Sequence, residues 1–231
     1  MQIKPSDTSL SFEINSNIEK VKEVPSFDNL VAYYPLSIGT NDGNAISDMS
    51  PNSNHGTNNG ATFTEGVDGN INTGMKFDGV DDYTNLGSFD LTGGQRSISV
   101  WINSKNIPSS LSDRRFFSAN YFEIKFVNSN LESWIYDTSL KTLAYSASSL
   151  NSNNWYNVVI TINTNDLKMY VDGVLRNQNN TFTLTNHAYN LNIGSNYAGD
   201  SRFFNGSIDN VRIYNKALTE NEIKLLYNNK N

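Results

Sequence analysis

The sequence predicts an all-β protein, a sandwich or barrel of short strands with one C-terminal helix, and three observations carry that prediction. Several runs alternate apolar and polar residues, the period that turns one face of a strand to a core and the other to water. Asp172-Gly173 separates Tyr170-Val171 from Val174-Leu175, and Asp-Gly accepts the positive φ of the type I′ turn that joins two hairpin strands. The 231 residues include 37 asparagines, a residue that favours turns and left-handed backbone, so many short strands and loops are expected.

Residues 1–29 differ from the rest, with isolated apolar residues, Pro5, Pro25 and mixed charges at Glu19, Lys20, Lys22 and Glu23. They read as an extended N-terminal arm before a single domain at 30–231. Within that domain, Ser97 to Asn103 puts Ile98, Val100 and Ile102 on one face, and Tyr121 to Phe126 does the same with Phe122, Ile124 and Phe126. Trp155 to Asn163 repeats the pattern with Tyr156, Val158, Ile160 and Ile162, and Leu167 to Val171 with Leu167, Met169 and Val171. No helical pattern separates these runs. At the end of the chain, Thr219 and Glu222 have the spacing of a capping box, and Ile223, Leu226 and Tyr227 form a small apolar stripe. A short helix is expected there, closing an edge or end of the sandwich.

Composition narrows the function. With 17 Lys+Arg against 23 Asp+Glu the net charge is -6, and no basic cluster is present to neutralise phosphates, so nucleic acid is excluded as a partner class. Hydrophobic residues at 37%, aromatics at 12% and charged residues at 17% suit a packed core rather than a disordered chain. The absence of cysteine excludes disulfides, thiolate zinc sites and a cysteine nucleophile. No run nears the roughly 18 apolar residues that span a bilayer, and the first 30 residues lack the pattern of a secretory leader.

Leu30 to Leu36 (LVAYYPL), Asp48 to Gly56 (DMSPNSNHG), Phe77 to Tyr83 (FDGVDDY) and Ser97 to Ile102 (SISVWI) occur in that order. Trp155 to Val159 (WYNVV), Tyr170 to Gly173 (YVDG) and Gly206 to Leu218 (GSIDNVRIYNKAL) follow. This ordered set, over about residues 30–228, resembles the laminin-G-like, concanavalin A-like lectin/glucanase jelly-roll superfamily. The resemblance implies a two-sheet antiparallel β-sandwich, often a bound calcium, and a binding or adhesion role. Some members of the fold are glycan hydrolases, so the fold alone does not settle activity.

Asp209 is the most informative polar residue. Read as a plain strand, Gly206–Tyr214 puts Asp209 on the face of Val211 and Ile213, so its carboxylate points inward and needs a cation or several donors. Lysine or arginine can supply the charge, or a structural Ca2+ can be shared with the Asp48–His55 loop, whose Asp48, Asn52 and Asn54 offer hard oxygens. The metal ligands expected are Asp48, Asn52 and Asp209. On the other reading, Asp48 and Asn52 only make side-chain turns. Asp78, Asp81 and Asp82 around Gly79 fit an acidic turn better than a metal site. His55 and His187 stand alone and support neither zinc nor a triad.

Trp134 and Tyr136 share a face with Glu132, while Leu131, Ser133 and Ile135 take the other. If the first face is outward, it offers aromatic rings for stacking a sugar and acidic groups for its hydroxyls; if inward, Ile135 faces water. Tyr121, Arg114 and Tyr197 join Trp134 and Tyr136 as the expected ligand-binding residues, with Arg115 and Arg202 nearby. Glu123 and Glu132 are the least poor carboxylate pair for glycoside hydrolysis, which needs two carboxyl groups facing across a cleft. The expected function is therefore a non-catalytic module that binds surface carbohydrates. It is expected at an extracellular or surface-exposed location, displayed on a virion or cell surface through residues 1–29, which dock a capsid or surface-protein partner. Two alternatives are a structural decoration protein making only protein contacts, and a glycan hydrolase.

Overall fold

The computed structural model describes residues 26–40, 44–90, 94–107, 113–136, 140–181 and 188–230. Its strands are β1 (Leu30–Tyr34), β2 (Ala45–Ile46), β3 (Gly56–Asn59), β4 (Thr62–Thr64), β5 (Gly74–Asp78), β6 (Tyr83–Asp90), β7 (Arg96–Ser104) and β8 (Asp113–Ala119). They continue with β9 (Phe122–Val127), β10 (Asn130–Tyr136), β11 (Leu140–Ser146), β12 (Trp155–Asn163), β13 (Asp166–Val171), β14 (Val174–Asn179), β15 (Ala188–Ile193) and β16 (Asn205–Tyr214), before helix α1 (Glu220–Asn228). The chain forms two antiparallel sheets. One runs β14-β13-β12-β7-β16-β5-β4, with β1 also beside β16; the other runs β11-β10-β9-β8-β15-β6-β3-β2.

The period-two runs become the two walls of one core. Ile98, Val100 and Ile102 of β7 and Val158, Ile160 and Ile162 of β12 are buried opposite Phe122, Ile124 and Phe126 of β9 and Leu131 and Ile135 of β10. Val158 pairs with Val100 and Ile160 with Ile98, so branched side chains meet directly across the ladder, where such pairs contribute most. The β13–β14 turn holds Asp172 at φ 53° and Gly173 at φ 72°, the left-handed pair that Asp-Gly predicts. Asp172 Oδ1 also accepts the Asn157 N–H at 2.9 Å.

Helix α1 starts with the predicted capping box: the Thr219 side chain accepts from the Glu222 N–H, and the Glu222 carboxylate accepts from the Thr219 N–H. The helix lies on a face, not at an edge or end. The outward positions Tyr33, Val159, Tyr170 and Tyr214 of the first sheet are apolar, and Leu218, Ile223 and Leu226 cover them in a second core. Burying Ile223 and Leu226 contributes roughly 1.5–3 kcal/mol each. Tyr227 stacks on Trp101, with centroids 5.8 Å apart at 18°.

Asp209 corrects the sequence reading. It pairs with Trp101, whereas Arg212 pairs with Ser99, and the register shifts between them. Asn210, at φ 49°, is the extra residue of a β-bulge, which reverses which face the preceding side chains occupy. Asp209 consequently leaves the face of Val211 and Ile213 and lies on the outer face with Trp101. It is buried there because the 65–68 loop covers it, and its Oδ2 accepts the Val67 N–H at 2.8 Å.

Residues 1–25 of the expected docking arm lie outside the described residues. Phe27–Asn29 form a turn of 3-10 helix, and the Ser26 hydroxyl donates to Glu222 of α1. Helix α1 and the 65–68 loop cover part of the outer face of the first sheet, leaving a polar depression of about 290 Å³ beside Lys76, Asn103 and Ser207, while the outer face of the second sheet carries the aromatic residues the sequence singles out.

Candidate functional site

The site is built by the outward positions of β8, β9 and β10. Alternation sends Phe122, Ile124 and Phe126 into the core, so Glu123 and Lys125 point out. Pairing then sets Lys125 between Arg115 and Glu132, and Glu123 opposite Trp134. The outward phase for Trp134 and Tyr136 is therefore the one adopted, with Ile135 buried.

These side chains lock one another. Lys125 Nζ lies 3.0 Å from the centroid of the Trp134 ring and 3.0 Å from Glu123 Oε2. Glu123 also binds the Arg115 guanidinium. Asp113 Oδ1 lies 3.4 Å from Arg115 Nε, while its Oδ2 lies 3.6 Å from Lys125 Nζ and 3.0 Å from Arg202 Nε. The Trp134 Nε1–H donates to Glu132 Oε2 at 2.5 Å. Burial pulls the Lys125 ammonium below the ordinary lysine value, opposed by Glu123 and Asp113. The carboxylates around it and the indole face, whose cation–π contact is worth roughly 2 kcal/mol when desolvated, favour its charged form against that burial.

Beside this network the face becomes apolar and open. Tyr121, in the β8–β9 turn, stacks on Tyr136 at the end of β10, with ring centroids 6.4 Å apart at 29°. The Tyr136 N–H donates to the Tyr121 carbonyl at 2.8 Å, so backbone pairing fixes the two rings side by side. Asn120, Tyr121, Phe122, Glu123, Trp134, Tyr136 and Leu140 line a cleft of about 330 Å³. Tyr136 is 50% and Tyr121 39% exposed, so both rings offer an apolar face at the cleft.

The structure thus brings together Tyr121, Trp134 and Tyr136 and leaves out the other two expected ligand-binding residues. Arg114 pairs with Phe126, the opposite phase from Lys125, and does not line the cleft. It is the neighbouring Arg115 that enters the network. Tyr197 is exposed in the loop before β16, where Asn196 accepts the Asp200 N–H at 3.1 Å and its amide donates to Asp200 and Ser201; it does not reach the cleft either. Asp113 and Lys125 were not singled out from sequence. The signal for Lys125 was its position two residues from Glu123 on the outward face of a strand.

The hydrolase alternative loses its pair. Glu123 is held by Arg115 and Lys125, and Glu132 by Trp134. The two carboxylates stand on adjacent strands of one face rather than facing each other across a groove, which is not the arrangement glycoside hydrolysis uses.

The expected calcium ligands do not form one donor set. Asp48 Oδ1 accepts the N–H groups of Tyr33 and Ser50, both at 2.8 Å, and its Oδ2 accepts the Asn54 N–H and the Ser50 hydroxyl at 2.8 Å. The Asn52 amide donates to the carbonyls of Leu30 and Val31. Asp209 shares no partner with either. The lone pairs of Asp48 face hydrogen-bond donors, so the loop is pinned to β1 by turn chemistry and does not fit a cation. Asp78, Asp81 and Asp82 bring carboxylate oxygens within 4.8 Å of one another, yet they also cap a turn: Asp78 Oδ1 accepts the Val80 N–H at 2.7 Å and Asp82 Oδ2 the Asp78 N–H at 2.9 Å.

A wider depression of about 630 Å³ lies between β1, the 51–54 loop and β6. The amides of Asn52 and Asn54 on its wall are already bonded to β1, which makes it a seam between loop and strand.

Residues 78–224 match the sequence profile of the concanavalin A-like lectin/glucanases superfamily. No curated protein matches the chain. Among solved structures, the botulinum neurotoxin serotype D ligand binding domain in complex with N-acetylneuraminic acid gives a TM-score of 0.69 at 20% identity, over 87% of this chain and 51% of that one. A structure of botulinum neurotoxin type C, whose cell entry depends on interaction with two ganglioside molecules, gives 0.68 at 18% identity, over 87% and 51%. The binding domain of botulinum neurotoxin DC in complex with rat synaptotagmin II gives 0.68 at 17% identity, over 87% and 52%. The chain spans about half the length of these structures, and the likeness shows a shared fold.

Proposed function

The chain belongs to the concanavalin A-like lectin/glucanases superfamily, and we propose that it is a non-catalytic carbohydrate-binding module whose sugar site is the Tyr121–Trp134–Tyr136 cleft. The observation that carries this reading is the exposed, backbone-fixed pair of tyrosine rings beside a network of paired cations and carboxylates. A pyranose has an apolar face of C–H groups and a rim of hydroxyls. Tyrosine rings shed water from the first, and carboxylate and amide oxygens accept from the second. Solved neighbours that bind N-acetylneuraminic acid or depend on gangliosides support a sugar ligand, and the placing of Glu123 and Glu132 on one face rather than across a groove supports binding without hydrolysis. Glycans of this kind are met at cell surfaces, which agrees with an extracellular or surface-exposed setting. No helix among the described residues is long and apolar enough to cross a membrane.

The test is a glycan array with the full chain and with Tyr136→Ala. Specific signals that fall about tenfold or more in the variant, the loss typical of a truncated aromatic anchor, support the reading. Signals unchanged in Tyr136→Ala, or none at all, contradict it.

A further inference from the structure

Resting on the sugar-binding reading of the same cleft, we infer that its ligand is an uncharged sugar and that acidic sugars are disfavoured. The outer face carries Arg115, Lys125 and Arg202 against Asp113, Glu123 and Glu132, and every one of these cations is paired. The Lys125 side chain is fully buried under the Trp134 ring. Arg115 is closed between Asp113 and Glu123. Arg202 is half-exposed but bound to Asp113, and it is not among the residues that line the cleft. Among the described residues that line the cleft there is no lysine or arginine, and the one charged residue is Glu123.

A ligand carboxylate or sulfate therefore meets a carboxylate and no available cation. The strong hydrogen bonds to such a group are charge-assisted, and Glu123, already paired with Arg115 and Lys125, gives a second anion nothing to bind. A neutral pyranose needs no such partner: its C–H face lies on Tyr121 and Tyr136, and its hydroxyls can donate to oxygens of Glu123 and Asn120. The net charge of -6 acts in the same direction at long range.

The experiment titrates the full chain with pairs of oligosaccharides that differ only in a terminal acidic group, sialylated against desialylated and sulfated against unsulfated, with Tyr136→Ala and Asn120→Lys in parallel. The neutral member is expected to bind at least about tenfold tighter, to lose that binding in Tyr136→Ala, and to lose part of its advantage in Asn120→Lys, which adds a cation at the cleft. Tighter binding of the acidic member, still dependent on Tyr136, overturns this inference and leaves the cleft as the sugar site. Binding by neither member that depends on Tyr136 overturns the cleft as well.

Discussion

Lys125 and Trp134 form one closed contact: the ammonium sits 3.0 Å from the centre of the indole ring, while the indole N–H is bonded to Glu132 at 2.5 Å. One ring therefore covers a buried charge with its face and anchors a carboxylate with its edge. What remains for a ligand is its other face, beside the stacked rings of Tyr121 and Tyr136.

This separates two substitutions that sequence alone treats alike. Trp134→Ala uncovers Lys125 and frees Glu132, and is expected to lower stability by about 2 kcal/mol or more. Tyr136→Ala removes a half-exposed ring and is expected to stay within about 0.5 kcal/mol of the parent. Chemical denaturation of the two variants checks this, and equal losses would contradict the division of labour between the rings.

Asp209 should make stability depend on pH. Burial, opposed by the Val67 and Asn210 N–H groups and by Arg212, pushes its carboxyl from the usual 3.8 up to about 7. Between those values the folded state holds a proton that the unfolded chain has released. This contribution is therefore complete below about pH 4, falls as pH rises through 7 and is level above it, by a few kcal/mol in all. Asp209→Asn keeps an acceptor for Val67 and should flatten that part of the curve. An unaltered pH profile in this variant would show that Asp209 is not the titrating group.

Glu222 acts in the opposite sense. Burial alone would raise its carboxyl, but bonds from Lys216, Ser26 and Thr219 bring it down to about 2. Its contribution is present above the usual 4.5 and is lost as pH falls toward 2. Glu222→Gln should cost about 1–3 kcal/mol at pH 7 and little at pH 2, and Thr219→Ala about 1 kcal/mol through the lost cap. Thermal unfolding at both pH values reads the difference.

For the 48–54 loop, the hydrogen bonds predict a metal-independent structure. Asp48→Ala strands the N–H groups of Tyr33, Ser50 and Asn54 and should cost at least about 2 kcal/mol. Adding calcium to chelator-treated protein should leave the melting temperature where it was. A rise with calcium that Asp48→Ala abolishes would restore the metal reading.

The walls of the sandwich were legible in the sequence because Ile98, Val100 and Ile102, or Val158, Ile160 and Ile162, state their phase locally. Asp209 was not, since one inserted residue at Asn210 reverses the phase and no local pattern announces it. Trp134 and Tyr136 were half legible: Leu131 and Ile135 compete for the same core, and only the pairing of Trp134 with Glu123 and of Ile135 with Phe122 decides. Arg115 rather than Arg114, and the gathering of Asp113, Glu123 and Lys125, depend on strand neighbours brought together by the fold. Those contacts leave no mark in any one segment.

The most direct test of the central claim is the structure of the full chain bound to the tightest glycan found on the array. The account predicts a pyranose ring lying on Tyr136 and Tyr121 with carbon contacts of about 4 Å and a hydroxyl directed at Glu123 or Asn120. A sugar seated elsewhere, with the two tyrosine rings still bare, would contradict it.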